Sequence, residues 1–220
     1  MNRAAYFIAA AILTVAAPSG AAAQTAGGAH SGHDHAPVIA AAPVPAVTAS
    51  DRILGDPDAP VTVIEYASFT CGHCADWHEQ VYPAFKARFI DTGQVRFVYR
   101  DLPTAPQNLS QTAALVARCA TAEQFPAVID ALMSGQEQMY ASRDAAGWLL
   151  GAAHAGELGP DQLETCLNDP EADAGLIASI HGAVAAGVTG TPTFFVNGQR
   201  VEGGLASLEA AIAPLIDQGG

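Results

Sequence analysis

The sequence predicts an α/β fold interrupted by a helical segment, and three observations predict it. A strand-like run, Val61-Thr62-Val63-Ile64-Glu65-Tyr66-Ala67, leads through a helical pattern to a second alternating run, Val95-Arg96-Phe97-Val98-Tyr99-Arg100. Residues 107 to about 187 carry helical signals and no convincing strand. Strand character returns on both sides of Asn197-Gly198, a pair of residues that favours a tight hairpin.

Composition narrows the function. The chain has 220 residues, half of them apolar, which suffices for one core with a sizeable insertion. The formal net charge is −13 and Lys and Arg total nine, which argues against nucleic acid as a partner because phosphate neutralisation needs clustered cations. Arg3, the apolar residues 4–17 and Ala21-Ala22-Ala23 form a signal-peptide pattern over residues 1–23. The apolar run is short for a membrane span. A cleaved signal implies export, to the periplasm if the source is bacterial, where disulfides persist. Residues 24–50 read as an unstructured linker of Ala, Gly, Pro and His. Within it, His30-Ser31-Gly32-His33-Asp34-His35 holds ligand types suited to Cu or Zn, but reads as a solvated tail, and no metal site is assigned. No dimerisation domain is recognisable, so a monomer is expected.

The folded part is expected to begin near Ser50. Asp56-Pro57-Asp58-Ala59-Pro60 reads as a turn into the strand at 61–67. Trp77, Val81, Phe85 and Phe89 then recur every fourth residue, predicting a helix over 71–90 kinked at Pro83. Asp91-Thr92-Gly93 ends it, and the strand at 95–100 follows. A strand, helix and strand within about 40 residues predict a parallel pair joined by a right-handed crossover. Helices are expected at 107–121, 123–133, 142–155, 160–167 and 170–186, separated by Gly- and Pro-containing breaks. A hairpin of strands 193–196 and 199–202 and a helix at 205–216 close the chain.

The chemistry centres on Cys71-Gly72-His73-Cys74, between the first strand and its helix. A cysteine at a helix N-terminus faces unpaired N–H groups and the positive end of the helix dipole, which favour the reactive thiolate. The spacing by itself fits thiol–disulfide exchange, a metal site or a small structural disulfide. A zinc site needs two further ligands at workable spacing, and a structural bridge across two residues staples very little chain. His73, beside the thiols, is placed to favour the Cys71 thiolate. Glu65 is an unexpected acid in an apolar strand, and a buried carboxyl with a raised pKa can move protons. No Gly-rich phosphate cradle occurs, so no organic cofactor is expected.

These residues, with Asp101-Leu102-Pro103, the helical insertion and Gly190-Thr191-Pro192-Thr193-Phe194-Phe195-Val196-Asn197-Gly198, resemble the DsbA-like branch of the thioredoxin superfamily over residues 51–217. The resemblance implies a thioredoxin fold with an inserted all-helical domain: residues 51–104 and 188–220 the thioredoxin-like domain, 105–187 the insertion. It implies a protein-disulfide oxidoreductase with Cys71 as nucleophile, Cys74 as resolving thiol and Glu65 beneath the buried cysteine. It also implies a cis bond at Thr191-Pro192, beside the CxxC motif, offering backbone groups to an extended substrate. Thr before this proline is seen in relatives with isomerase or reductase duties, and Gly-His resembles the centre of protein disulfide isomerase. With Cys71 paired to Cys74, Cys119 and Cys166 are left to bridge, as in relatives with a second disulfide in the helical domain. That closure would add about 4 kcal/mol on the chain-entropy model. The implied partners are unfolded or thiol-containing exported proteins and a membrane redox partner.

Overall fold

The computed structural model describes residues 43–216. The expected signal peptide, residues 24–42 of the expected linker with its histidines, and residues 217–220 lie outside them. Among the described residues no helix is long and apolar enough to cross a membrane.

Five strands form one mixed sheet: β1 (Arg52–Leu54), β2 (Val61–Ala67), β3 (Val95–Asp101), β4 (Thr193–Val196) and β5 (Gln199–Val201), in the order β1-β3-β2-β4-β5. β2 and β3 are parallel, with Val61 opposite Val95 and Glu65 opposite Tyr99. β4 runs antiparallel to β2 and returns as β5 through Asn197 and Gly198, both at positive φ, as a two-residue hairpin turn of this kind requires. β1 was not expected; three residues are too few to carry a period, and pairing with β3 creates the strand.

The helix expected over 71–90 divides into α1 (Gly72–Gln80), α2 (Tyr82–Phe85) and one π-helical turn (Lys86–Ile90). Pro83 sits in the first turn of α2, where its missing N–H costs no intrahelical bond. Six helices separate β3 from β4: α3 (Gln107–Arg118), α4 (Phe125–Ser134), α5 (Gln136–Ser142), α6 (Ala145–Ala155), α7 (Pro160–Leu167) and α8 (Pro170–Ala185). α5 was read as part of a break after Gly135. It ends at Arg143 in the left-handed region, and α6 then starts at Asp144, whose carboxylate caps the N–H of Gly147 at 2.8 Å. α9 (Leu205–Ile216) closes the described chain.

Strand alternation sends residues to two faces of the sheet. Val61, Val63, Phe97, Tyr99, Phe194 and Val196 belong to the larger core, with Cys74, Trp77 and Phe85 of the α1–α2 segment, much of the insertion, and Leu208 and Ile212 of α9. Ile64, Tyr66, Val98 and Phe195 face the other way, against Ala183 of α8 and Ala186 and Val188 beyond it. Val44 and Val47 pack against this second cluster. Thus residues 43–50, read as the end of an unstructured linker, are docked on the sheet. Arg100 holds them: its guanidinium donates to the carbonyls of Pro45 and Ala46 at 3.0 Å, to both carboxylate oxygens of Asp51 at 2.8 Å and to the Tyr66 hydroxyl at 3.1 Å.

Candidate active site

Cys71 is the N-cap of α1, in extended conformation, and Cys74 lies one turn inside the helix. The carbonyl of Cys71 accepts from the N–H groups of Cys74 at 3.0 Å and Ala75 at 3.1 Å. Both thiols are free, Cys71 half-buried and Cys74 with no exposed surface. The Cys71 thiol pKa falls from an ordinary 9.0 to about 5. The largest cause is a hydrogen bond from the Cys74 thiol; burial opposes it, and Thr191 and the backbone N–H groups of Cys74 and His73 reinforce it. The Cys74 pKa moves up, first because its proton is held on Cys71 and then through burial. One proton shared between two sulfurs leaves a charged, accessible nucleophile and a neutral, buried partner.

The loop before β4 reaches the same sulfur. The Thr191-Pro192 bond is cis, and Cys71 Sγ lies 3.4 Å from the Thr191 carbonyl oxygen. The Thr191 hydroxyl is buried and has no hydrogen-bond partner among the described residues. A second cis bond, Ala105-Pro106, which the sequence reading did not single out, precedes α3.

Glu65 is on the sheet face toward Cys74 and is only 2% exposed. Burial first, then the negative charge of Cys71, raises its carboxyl pKa to about 8. Its Oε1 has no hydrogen-bond partner among the described residues, and neither does the hydroxyl of Tyr99 beside it on β3. Tyr99, fully buried and stacked on Phe69, was missed as a site residue. Its alternation on β3 was legible; the register that sets it against Glu65 was not.

His73 behaves differently from expectation. Its imidazole is 87% exposed and lies 3.9 Å from Asp76, while its backbone N–H supports the Cys71 thiolate. The contact of His73 with Cys71 is therefore through its backbone N–H, not its ring.

Beneath α1, Trp77 donates from Nε1 to the Gly203 carbonyl at 2.6 Å and packs on Phe97 and Phe194. On the other side of the loop, Ser68 Oγ is the hub of a buried hydroxyl cluster, 2.7 Å from Ser110 Oγ, 2.9 Å from Thr104 Oγ1 and 3.2 Å from Thr70 Oγ1. Its carbonyl accepts the Cys71 N–H at 3.2 Å. The cluster joins the cysteine loop to α3. Cys119, at the C-cap of α3, and Cys166 on α7 form a disulfide with Cα atoms 5.5 Å apart. Among the described residues no group of three or more His, Cys, Asp or Glu comes together as a metal site.

A sheet of this topology carrying a cysteine pair at a helix N-terminus against a cis-proline loop defines a thioredoxin-type thiol site. Residues 48–213 match the family model described as "Thioredoxin", and the chain belongs to that family. A protein of Rickettsia bellii named as a protein-disulfide oxidoreductase is 32% identical over 172 residues, covering 77% of this chain and 66% of that one. Across five Rickettsia relatives the chain spans 54–66% of their length. Wolbachia pipientis α-DsbA1 superposes with a TM-score of 0.68 at 28% identity, covering 78% of this chain and 94% of that one. Oxidised BdbD from Bacillus subtilis shares the fold, with a TM-score of 0.71 at 21% identity and coverage of 80% and 98%. The architecture is the thioredoxin fold with an inserted all-helical domain.

Proposed function

We propose that the protein is a thiol–disulfide oxidoreductase that introduces disulfides into exported proteins, with Cys71 as nucleophile and Cys74 as resolving thiol. The observation that carries this reading is the inequality of the two thiols: an accessible Cys71 with pKa about 5 above a buried Cys74 with pKa raised. A stabilised Cys71 thiolate favours the reduced pair, which makes the corresponding disulfide oxidising. The names of the Rickettsia and Wolbachia relatives support the same chemistry.

In the oxidising direction a substrate thiolate attacks Cys71 Sγ of the Cys71–Cys74 disulfide. The S–S bond breaks, its electron pair stays on Cys74, and a mixed disulfide forms between substrate and Cys71. Cys74 takes up a proton; Glu65, with a pKa near 8, is the buried acid positioned to supply it. A second substrate thiolate attacks the substrate sulfur and releases the Cys71 thiolate. Two electrons have then passed to the enzyme, and a membrane redox partner removes them. The backbone at Thr191-Pro192 pairs with the extended substrate beside Cys71. His73 contributes through its N–H, and the Cys119–Cys166 bridge is structural. Residues 51–104 and 188–220 form the catalytic domain and 105–187 the insertion; residues 1–23 direct a monomer to the periplasm.

The test is oxidative refolding of a reduced protein with a catalytic amount of enzyme and excess oxidised glutathione. Wild type is expected to accelerate disulfide formation and Cys71→Ser to abolish the acceleration; unchanged rates in Cys71→Ser overturn the reading. Thr191 ahead of Pro192 favours a second reading, the same exchange run as an isomerase or reductase. A redox potential near that of thioredoxin, about −270 mV, decides for it.

A further inference from the structure

Tyr140 is the place where the inserted domain reaches the reactive thiol. It lies on α5, and its hydroxyl donates to the Thr70 carbonyl at 3.0 Å. That carbonyl belongs to the peptide unit whose nitrogen is Cys71. The contact spans 70 positions of sequence, and the phenol pKa is raised chiefly by burial, with the Thr70 contact opposing and the charge on Cys71 adding a smaller push upward. Despite the tethered tip, the residue is 46% exposed. Tyr140 is one of five large apolar side chains exposed among the described residues, the others being Leu150, Leu167, Ile177 and Val184. α5 also packs against α1, the helix that carries Cys74, so the ring stands on a fixed support.

An exposed aromatic ring held at its tip is a pre-formed contact surface. The hydrogen bond has already restricted the side chain, so a ligand packing on the ring loses little rotamer freedom. Tyrosines of this kind supply a large apolar face with a polar handle and recur as anchors in interfaces. The loop that Tyr140 braces leads directly into Cys71, the residue to which a substrate cysteine is joined in the exchange reading.

Resting on the thiol-exchange reading above, we propose that Tyr140 is a specificity-determining residue. Its ring packs on an apolar or aromatic side chain next to the reacting cysteine of an unfolded polypeptide, and its hydroxyl holds the ring in place from the Thr70 carbonyl.

The experiment uses the full exported chain and two reduced peptides, each with a cysteine pair, one flanked by Phe and one by Gly. The reading is the ratio of kcat/KM for the Phe-flanked over the Gly-flanked peptide. Tyr140→Ala is expected to lower that ratio about tenfold, the size of a modest aromatic anchor, mainly through KM. Tyr140→Phe, which keeps the ring, is expected to retain most of it. An unchanged ratio in Tyr140→Ala overturns the proposal, and so does an equal loss on both peptides, which a merely structural role would produce. Wild-type exchange with glutathione is measured alongside. Its absence defeats the thiol-exchange reading itself, whereas its presence with an unchanged ratio defeats only the role of Tyr140.

Discussion

Two titratable groups of the site, Cys71 and Glu65, are shifted in opposite directions. Cys74 lowers the Cys71 pKa by donating a hydrogen bond, so removing that donor must raise it. Cys74→Ala is expected to move the pH midpoint of Cys71 alkylation by iodoacetamide upward from about 5 by roughly one unit or more. A midpoint that stays put means the helix N-terminus alone maintains the thiolate. The sign for stability follows from the same value. A depressed pKa stabilises the reduced fold fully above the ordinary value of 9.0, and that gain is lost as pH falls through about 5. Glu65 runs the other way. Its pKa rises from 4.5 to about 8, so the folded state is favoured below 4.5 and progressively loses that advantage as pH rises through 8. Glu65→Leu is therefore expected to stabilise the protein by about 1–4 kcal/mol at pH 8.5, and by less at pH 4, in urea unfolding. The same variant slows the exchange steps that move the Cys74 proton. Equal stabilisation at both pH values would remove the buried carboxylate as the cause.

At the scale of elements, the insertion depends on ties between helices and to the sheet. The Cys119–Cys166 disulfide joins α3 to α7 across a sequence separation of 47. On the chain-entropy model a loop of that length stabilises by about 4 kcal/mol, so Cys119→Ala/Cys166→Ala is expected to lose roughly 2–4 kcal/mol in denaturant titration while keeping the Cys71 alkylation profile. A changed profile would make the bridge a modulator of Cys71. A second tie is ionic: Arg118 of α3 donates to Asp101 at the end of β3 at 2.7–2.8 Å, both side chains buried. Arg52 of β1 donates to the Arg118 carbonyl, so the sheet edge and the insertion share one polar cluster. These contacts explain the difference between expected and observed elements. β1 exists because of its neighbours, and the helical run breaks between α1 and α2 where Pro83, which has no N–H, stands in the first turn of α2.

Among the described residues, α1, α2, α9 and much of the insertion cover one face of the sheet, and the end of α8 with Ala186, Val188, Val44 and Val47 covers the other. The site forms where strand ends, the α1 N-terminus, the cis-proline loop and the insertion meet. The order strand, CxxC, helix, strand, then hairpin, was legible because it rests on local rules: alternation, helical spacing and Asn-Gly turn chemistry act over a few residues. Glu65 was legible as an acid out of keeping with an apolar strand and the cysteine pair by its spacing at a helix start, whereas Thr191-Pro192 was legible only through the resemblance to the thioredoxin superfamily. The docking of residues 43–50 by Arg100 was not legible, because a Pro- and Ala-rich stretch has no period and its partners lie about 50 positions away in sequence. Nor was the outward turn of the His73 ring, the pairing of Glu65 with Tyr99, or the reach of Tyr140 to Thr70. By itself the sequence determined in what order the main elements occur and singled out the residues expected to carry the thiol chemistry. Tertiary structure alone decided that residues 43–50 dock on Arg100, that Tyr99 stands opposite Glu65 and that Tyr140 reaches the Thr70 carbonyl, because strand register and docking come from contacts between segments far apart in the chain.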